Sequence, residues 1–329
     1  MVDYSPSKTI KIICQNPSGN HSMTVHEWGE KDYSDVVLCL HGLTRSALDF
    51  VVLASHLKKD IKILAPDLVG RGDSDWLRNN NFYQVSQYIS DINTMLIKLN
   101  VKKVNIVGTS LGGLIGIVMS SIVNGTDLNE ISSVENFFLP SGISSLKFDN
   151  KISIESLVIN DFGIKISIDS LLELSRQVDF DLSREFENFR SAQDHVEKIC
   201  KDFGPHSDLQ WKLLTNSYFK TGKKLGSYVV HFDPKILSQF KAFQSVFSMQ
   251  KKVNLFSIPD LDFSNFYDSI ECKTLLLRGE KSSLLTKETA NDMTLRGPKP
   301  LLVEFDGIGH APTLMQLDQI SIIKNFLLL

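Results

Sequence analysis

A serine between two glycines, in the run 108–112 (GTSLG), is the feature that most constrains this chain. The β-branched run 103–107 (KVNIV) before it predicts a short buried strand, and the glycine-rich apolar run 113–119 (GLIGIVM) after it predicts a tightly packed helix. A sharp strand-to-helix turn holds its serine strained and exposed, and glycines on either side let neighbouring backbone come close. Because G-x-S-x-G also occurs by chance, the weight of this run depends on its context.

Three further runs supply that context. A hydrophobic strand ends in His-Gly at 36–43 (VVLCLHGL), a second strand enters a Gly/Asp-rich turn at 61–75 (IKILAPDLVGRGDSD), and a histidine stands in 307–312 (GIGHAP). In this order the motifs resemble the α/β-hydrolase family, specifically its capped, esterase-like members. The resemblance covers nearly the whole chain. It implies an α/β fold with a mostly parallel central sheet flanked by helices and a helical cap inserted after the sixth strand.

Composition sets the size and class of the chain. With 329 residues, of which 42% are hydrophobic, it can bury one large core and a smaller accessory domain. A net charge of −3 offers no basic surface for nucleic acid. Residues 1–6 lack the pattern of a secretion signal, and the four scattered cysteines have no C-x-x-C spacing. We therefore expect a reduced, cytoplasmic protein without nucleic-acid or membrane partners, in which the uncharged run 104–126 is buried rather than membrane-spanning.

Alternating strand and helix patterns predict right-handed parallel crossovers and the domain layout. The α/β core is expected at 1–163 and 253–329, with the polar, turn-rich segment 124–151 as an insertion and 164–252 as the helical cap. Most aromatic residues of the cap are expected to pack it on the core, and some to face the cleft. The predicted strands are 8–14, 23–28, 36–40, 61–65, 103–107, 157–163, 274–279 and 301–305, and the predicted helices begin near 46 and span 85–99, 113–119, 287–295 and 314–328.

Two side chains are candidates for acyl chemistry. Hydrolysis of an acyl bond at neutral pH needs a nucleophile, a base and donors for the developing oxyanion. Ser110 is the candidate nucleophile, against the alternative of an incidental serine in a tight turn. A lone histidine is more often structural than catalytic. The setting 309–312 (GHAP), after the last strand, nevertheless makes His310 the candidate base.

The resemblance also implies an oxyanion hole made of backbone N–H groups. In the family these belong to the residue after the nucleophile and the residue after His-Gly, here Leu111 and Leu43. We interpret His41 as a structural residue that fixes its loop. For Arg71 and Asp73, an internal ion pair or a turn cap is favoured over a catalytic role.

The third member of a triad is where the chain departs from its relatives. They usually carry an aspartate in an R-G-x-x-S-D pattern after the seventh strand, but the run 278–285 (RGEKSSLL) has Ser283 there. A serine cannot balance an imidazolium charge. Asp161, after the preceding strand, is the favoured substitute, although it could instead satisfy loop amides. Glu280 is expected to point away, and Asp306 lies on the histidine's own loop. A weakened Ser–His dyad and a loss of hydrolysis remain open.

These residues predict a serine hydrolase that cleaves a small, fairly apolar carboxylic ester through an acyl-enzyme on Ser110, with His310 as general base. This chemistry requires no metal or organic cofactor, and none is expected. Metal catalysis is disfavoured because the histidines and carboxylates show no H-E-x-x-H or comparable ligand spacing. Dehalogenase and epoxide hydrolase activities are disfavoured because those relatives use an aspartate at the nucleophile position. Two alternatives stay open: a C–C bond hydrolase of the same fold, and a non-catalytic pseudo-hydrolase that binds a small molecule.

Overall fold

The architecture is that of a computed structural model, which describes residues 3–125, 152–167, 169–170, 185–238 and 260–329. Twelve strands occur in these ranges. In chain order they are β1 Lys8–Asn16, β2 Gly19–Trp28, β3 Asp35–Leu40, β4 Lys62–Pro66, β5 Lys103–Thr109, β6 Ser153–Asn160, β7 Lys165–Ile166, β8 Phe219–Thr221, β9 Tyr228–Val230, β10 Leu261–Asp262, β11 Lys273–Gly279 and β12 Leu301–Phe305.

An eight-stranded sheet forms the centre of the molecule, with the spatial order β1-β2-β4-β3-β5-β6-β11-β12. The β1–β2 and β2–β4 pairs are antiparallel, and the pairs from β4 to β12 are parallel. The central strands are almost continuously buried, as in 36–40 (VVLCL) of β3. Such runs are typical of parallel strands that helices cover on both faces. The predicted mostly parallel α/β sheet is therefore confirmed.

Eight α-helices accompany these strands in the described ranges. They are α1 Val51–Leu57, α2 Val85–Lys98, α3 Leu111–Val123, α4 Phe189–Ile199, α5 Asp208–Tyr218, α6 Ser264–Asp268, α7 Lys287–Leu295 and α8 Leu317–Leu328. Helix α3 carries no charged side chain and is buried on nearly every face, so it is a core helix against β5 and β6. None of the helices described here combines the length and the apolar character that crossing a membrane requires.

Between β6 and β10 the chain leaves the sheet. We call the described residues from 164 to 238 the insert; it contains α4, α5 and the β8–β9 hairpin, packed through aromatic contacts. The ring of Phe186 meets that of Phe219 edge-on at 5.1 Å between centroids. The insert falls within the predicted cap 164–252, whose residues 168, 171–184 and 239–252 lie outside the described part. The predicted insertion 124–151 also lies outside it, except for residues 124–125. The domain boundaries remain predictions.

Several element boundaries differ from the predicted ones, among them those of β6, α8 and α1. Strand β6 begins at Ser153, because its register continues along β5, and it ends at Asn160 instead of 163. Helix α8 begins at Leu317 instead of 314, since Leu314 has a φ of 58°, a left-handed conformation that a helix does not contain. A 3₁₀ turn at Ala47–Phe50 precedes α1.

Candidate active site

Ser110 lies on a sharp turn between β5 and α3. Its backbone has φ 53° and ψ −112°, and its N–H donates to the Asn160 carbonyl at 2.9 Å. The glycines on either side permit close backbone approaches that no other residue allows. A Cβ atom on Gly108 would lie 2.2 Å from the Gly112 carbonyl oxygen, and one on Gly112 would lie 2.0 Å from the Leu40 carbonyl oxygen. The G-x-S-x-G run is therefore a steric requirement of this turn.

The imidazole of His310 lies between Ser110 and Asp161. Its Nε2 atom is 2.9 Å from Ser110 Oγ, and its Nδ1 atom is 2.8 Å from Asp161 Oδ2. A carboxylate only accepts hydrogen bonds, so Nδ1 carries the proton and Nε2 is free to accept the serine hydroxyl proton. Residues predicted from three distant parts of the chain thus form one hydrogen-bonded series. Such a series can deprotonate the serine and stabilise the resulting imidazolium.

Asp161 directly follows β6 and has no exposed surface. Its Oδ1 atom accepts a hydrogen bond from the Gly279 N–H at 3.2 Å, which holds the carboxylate beside β11. The other acid candidates have different partners or exposure. Glu280 is exposed and accepts the Gly307 N–H at 2.7 Å, and Asp306 is exposed. The acid in contact with the imidazole is therefore the one at the end of β6.

Asn160, which the sequence analysis did not single out, connects the loops that carry the serine and the histidine. Its Nδ2 group donates to Thr109 Oγ1 at 3.0 Å and to the Pro312 carbonyl at 2.8 Å. Both partners lie within two residues of Ser110 or His310. The only signal in the sequence was its position in the run 157–163 (LVINDFG), directly before the acid.

The insert also binds the histidine loop. The Gly309 N–H donates to the Asp202 carbonyl at 2.6 Å, and His206 Nε2 lies 2.8 Å from Thr313 Oγ1. His206 Nδ1 lies 2.9 Å from the Gly204 carbonyl, which accepts only, so Nδ1 carries the proton and Nε2 accepts the threonine hydroxyl. Burial lowers the pKa of His206, which favours this neutral form.

Leu43 and Leu111, the predicted oxyanion donors, lie in the loop after β3 and at the start of α3. Leu43 lines the same cavity as the serine, and Leu111 is the first residue of α3, where helix N–H groups lack an intrahelical acceptor. His41 supports the loop after β3. Its Nδ1–H donates to the Gly42 carbonyl at 2.8 Å, and its Nε2 accepts the Leu68 N–H at 3.0 Å. Burial lowers the pKa of His41 to about 4, so the ring is neutral and structural.

Arg71 supports the same loop through a side-chain hydrogen bond. Its Nε donates to the Leu43 carbonyl at 2.8 Å, and its Nη1 donates to the Val69 carbonyl and to Tyr88 Oη, both at 2.8 Å. These bonds replace the ion pair that we considered between Arg71 and Asp73. Asp73 lies instead 3.4 Å from His231 Nε2 of the insert.

A cavity of about 120 Å³ opens onto Ser110 and His310. Its apolar lining includes Phe50, Ile199 and Phe203. Its polar lining was not predicted and includes Arg45, Asp49, Cys200 and Tyr218. A cavity of this size holds several water-sized groups, which suits a small acyl or alcohol portion.

Arg45 is the cationic residue of the polar lining. Its Nε and Nη2 atoms both donate to the Asp49 carboxylate, and its guanidinium carbon lies 3.9 Å from the centre of the Tyr218 ring. Burial alone would lower the pKa of Arg45, but the Asp49 carboxylate outweighs it and the pKa is raised above its ordinary value. The guanidinium is therefore a permanent cation inside the cavity.

Two clusters in the described ranges could offer metal ligands, and neither contributes a residue to the cavity. Cys14, His21 and Asp91 form one, and His26, Asp67 and Asp73 form the other. Hydrogen bonds within the clusters already join their members, as between His21 Nε2 and Asp91 Oδ2 at 2.8 Å.

Comparisons with known proteins agree with this fold. The family model of the alpha/beta hydrolase fold matches residues 35–124. The chain is 31% identical to the 3-hydroxybutyrate-oligomer hydrolase of Cupriavidus necator over 317 residues, which cover 96% of each protein. Among solved structures, a Rickettsia typhi protein is similar with a TM-score of 0.76, at 26% identity over 97% of this chain and 98% of that one. An alpha/beta hydrolase from Novosphingobium aromaticivorans follows with a TM-score of 0.74, at 27% identity over 97% and 98% of the two chains.

Proposed function

The chain belongs to the α/β-hydrolase family and is a hydrolase, and from this premise we propose that it cleaves small carboxylic esters through an acyl-enzyme on Ser110. The observation that carries the proposal is the 2.9 Å hydrogen bond between Ser110 Oγ and His310 Nε2, with Asp161 on the opposite ring nitrogen. This arrangement supplies a nucleophile, a base and a group that balances the charge of the base.

In the first half of the reaction, His310 Nε2 takes the proton of Ser110 as Oγ bonds to the ester carbonyl carbon. The amide groups of Leu43 and Leu111 stabilise the negative oxygen of the tetrahedral intermediate. The C–O bond then breaks, and the imidazolium gives its proton to the departing alkoxide, which leaves as an alcohol. Asp161 stabilises the imidazolium and keeps Nδ1 protonated throughout.

In the second half, water replaces the alcohol. His310 removes a proton from water, the hydroxide attacks the acyl carbon, and the bond to Ser110 Oγ breaks as the serine recovers its proton. The carboxylic acid then leaves the site. Four cavity residues belong to the insert, among them Ile199 and Phe203, so we assign to the insert the role of a cap over the reacting groups.

The substrate class follows from the cavity and from the relative. A cavity of about 120 Å³ with a mostly apolar lining favours small acyl units. The Cupriavidus necator relative is by name a hydrolase of 3-hydroxybutyrate oligomers, which are short chains of ester-linked hydroxy acids. We assign the same class of substrate to this chain: short oligoesters of a small hydroxy acid.

A fluorophosphonate probe and an ester substrate test the proposal together. The wild-type protein should be labelled by the probe and should hydrolyse p-nitrophenyl butyrate, whereas Ser110→Ala should do neither. Absence of labelling in a folded wild-type sample would instead indicate the ligand-binding pseudo-hydrolase. Labelling without hydrolysis of any ester, the 3-hydroxybutyrate dimer included, would indicate the C–C bond hydrolase.

A further inference from the structure

Arg45 lines the cavity but has no part in the chemistry proposed above. Arg45 is the only lysine or arginine among the cavity-lining residues that the structure describes. Its side chain is 12% exposed and that of Asp49 is 11% exposed, so the ion pair is largely withdrawn from solvent. Cys200, which lies nearby, is neutral, because burial raises the pKa of its thiol to about 11.

The first carbons of the Arg45 side chain lie close to Ser110. A Cβ atom on Gly42 would lie 3.5 Å from Arg45 Cγ and 3.9 Å from Ser110 Cβ, so the two side chains flank the same glycine. Arg45 also follows Leu43, a predicted oxyanion donor, by two positions. Arg45 and Ser110 also line one cavity, so the guanidinium can contact part of an ester whose carbonyl lies at Ser110.

Asp49 uses only some of the hydrogen-bond donors of the guanidinium. Asp49 binds Nε and Nη2, and the guanidinium carbon lies over the Tyr218 ring. The Nη1 amino group is not engaged by Asp49, and planar arginine edges bind carboxylates with paired hydrogen bonds. Asp49 thus orients the cation and compensates its charge while the cavity holds no anion.

We infer that Arg45 binds a carboxylate of the substrate, so that the site selects esters whose alcohol portion ends in a free acid. The inference rests on the proposed function and adds to it which end of the substrate oligoester the site recognises. In a dimer of 3-hydroxybutyrate, the carboxylate lies three bonds beyond the ester oxygen, which matches a cation beside the nucleophile. The enzyme then removes hydroxy-acid units from the end of the oligoester that carries the free carboxylate. It selects against esters in which this carboxylate is itself esterified.

Binding to the inactive Ser110→Ala protein tests this selectivity apart from catalysis. By titration calorimetry, the 3-hydroxybutyrate dimer as free acid should bind at least about tenfold more tightly than its methyl ester, the effect of one charge-assisted hydrogen bond. Adding Arg45→Gln should bring the ratio of the two affinities close to one. Arg45→Lys keeps the charge without the planar edge and should retain part of the ratio.

Two further variants separate recognition from structural support. Arg190→Gln is the control, because Arg190, like Arg45, pairs with an aspartate four residues further along the chain. Its side chain is 65% exposed on α4, and its removal should leave the affinity ratio unchanged. Asp49→Asn removes the competing carboxylate and should keep or increase the preference for the free acid. Equal binding of acid and methyl ester, no binding of either, or a ratio that survives Arg45→Gln would overturn the inference. A failure of the proposed function is distinguished by the absence of fluorophosphonate labelling of the wild-type protein.

Discussion

Asp161 Oδ2 lies 2.8 Å from His310 Nδ1, although the two residues are separated by 149 positions in the chain. The carboxylate is wholly buried at the end of β6, and the imidazole stands on the loop after β12 with 12% of its side chain exposed. A buried carboxylate is costly unless it is paired and hydrogen-bonded. Here the ring N–H and the Gly279 N–H satisfy both of its oxygens.

The first prediction concerns this carboxylate. Asp161→Asn should lower kcat for p-nitrophenyl butyrate by a factor on the order of 10⁴, because an amide neither balances the imidazolium nor holds the productive tautomer. KM should change little, since the amide occupies the same volume outside the cavity. Steady-state kinetics on folded protein, checked by circular dichroism, measure both quantities.

Ser283 provides the matched control for that measurement. Ser283→Asp restores an acid at the family's usual position, and in the wild-type background it should not raise kcat, because Asp161 already occupies Nδ1. In the Asp161→Asn background it should not restore full activity either. An unimpaired Asp161→Asn enzyme, or a large gain in the single Ser283→Asp variant, would contradict the assignment of the acid.

The second prediction concerns Asn160 as a positioning residue. Asn160→Ala removes the bonds to Thr109 Oγ1 and to the Pro312 carbonyl, so the loops that carry Ser110 and His310 lose a shared support. We expect kcat to fall by about 10- to 100-fold, as for a 1 Å misplacement of catalytic groups, while KM changes less. Thr109→Val is the control, because it removes only one of the two bonds and leaves the bond to Pro312. Equal losses in both variants would show that the Pro312 bond has no positioning role.

The third prediction concerns the steric requirement for glycine in the turn that carries Ser110. On Gly112, a Cβ atom would meet the Leu40 carbonyl at 2.0 Å, which is backbone and cannot move aside alone. Gly112→Ala should therefore lower the free energy of unfolding by about 1–3 kcal/mol or more and abolish activity, as overpacking does in cores. Gly113→Ala is the matched control, since the nearest atom to its Cβ would be Phe162 Cβ at 3.2 Å. Urea unfolding of both variants compares them; a larger loss for Gly113→Ala would contradict the prediction.

The sequence predicted the residues that lie at strand ends, and the reason is local. Ser110 is recognisable because its turn needs two glycines beside it, and Asp161 because it directly follows a β-branched run. His310 is recognisable by its place after the last strand. For each of them, neighbours in the chain specify the position in the sheet, and the parallel topology brings strand ends together.

The residues that were missed depend on contacts between distant segments. Nothing near Arg45 in the sequence indicates that its side chain turns back over Gly42 toward a tyrosine of the insert. Thr313 likewise has a partner, His206, that lies 107 positions away. The direction of a side chain depends on packing against such distant partners, which periodicity and motif spacing do not encode. For the same reason Arg71 could be read as part of a local ion pair.

The last prediction concerns His41 and pH. In the folded protein its Nε2 must accept the Leu68 N–H, and burial lowers its pKa to about 4, against about 6.5 in the unfolded chain. Between these values the unfolded chain binds a proton that the native protein does not bind. Stability contributed by neutral His41 is therefore complete above about pH 6.5 and falls with decreasing pH until about pH 4. Over this window the loss is on the order of 3 kcal/mol.

Urea unfolding at several pH values between about 7 and about 4.5 measures this dependence. The wild-type free energy of unfolding should fall more steeply than that of His41→Gln, whose amide offers both a donor and an acceptor and does not titrate. Because other groups also titrate in this range, the difference between the two curves is the quantity to compare. Proton NMR of the wild-type protein provides a second measurement, in which the His41 ring should stay neutral through pH 6. Parallel stability curves, or a ring that titrates near pH 6.5, would show that the native loop does not require the neutral imidazole.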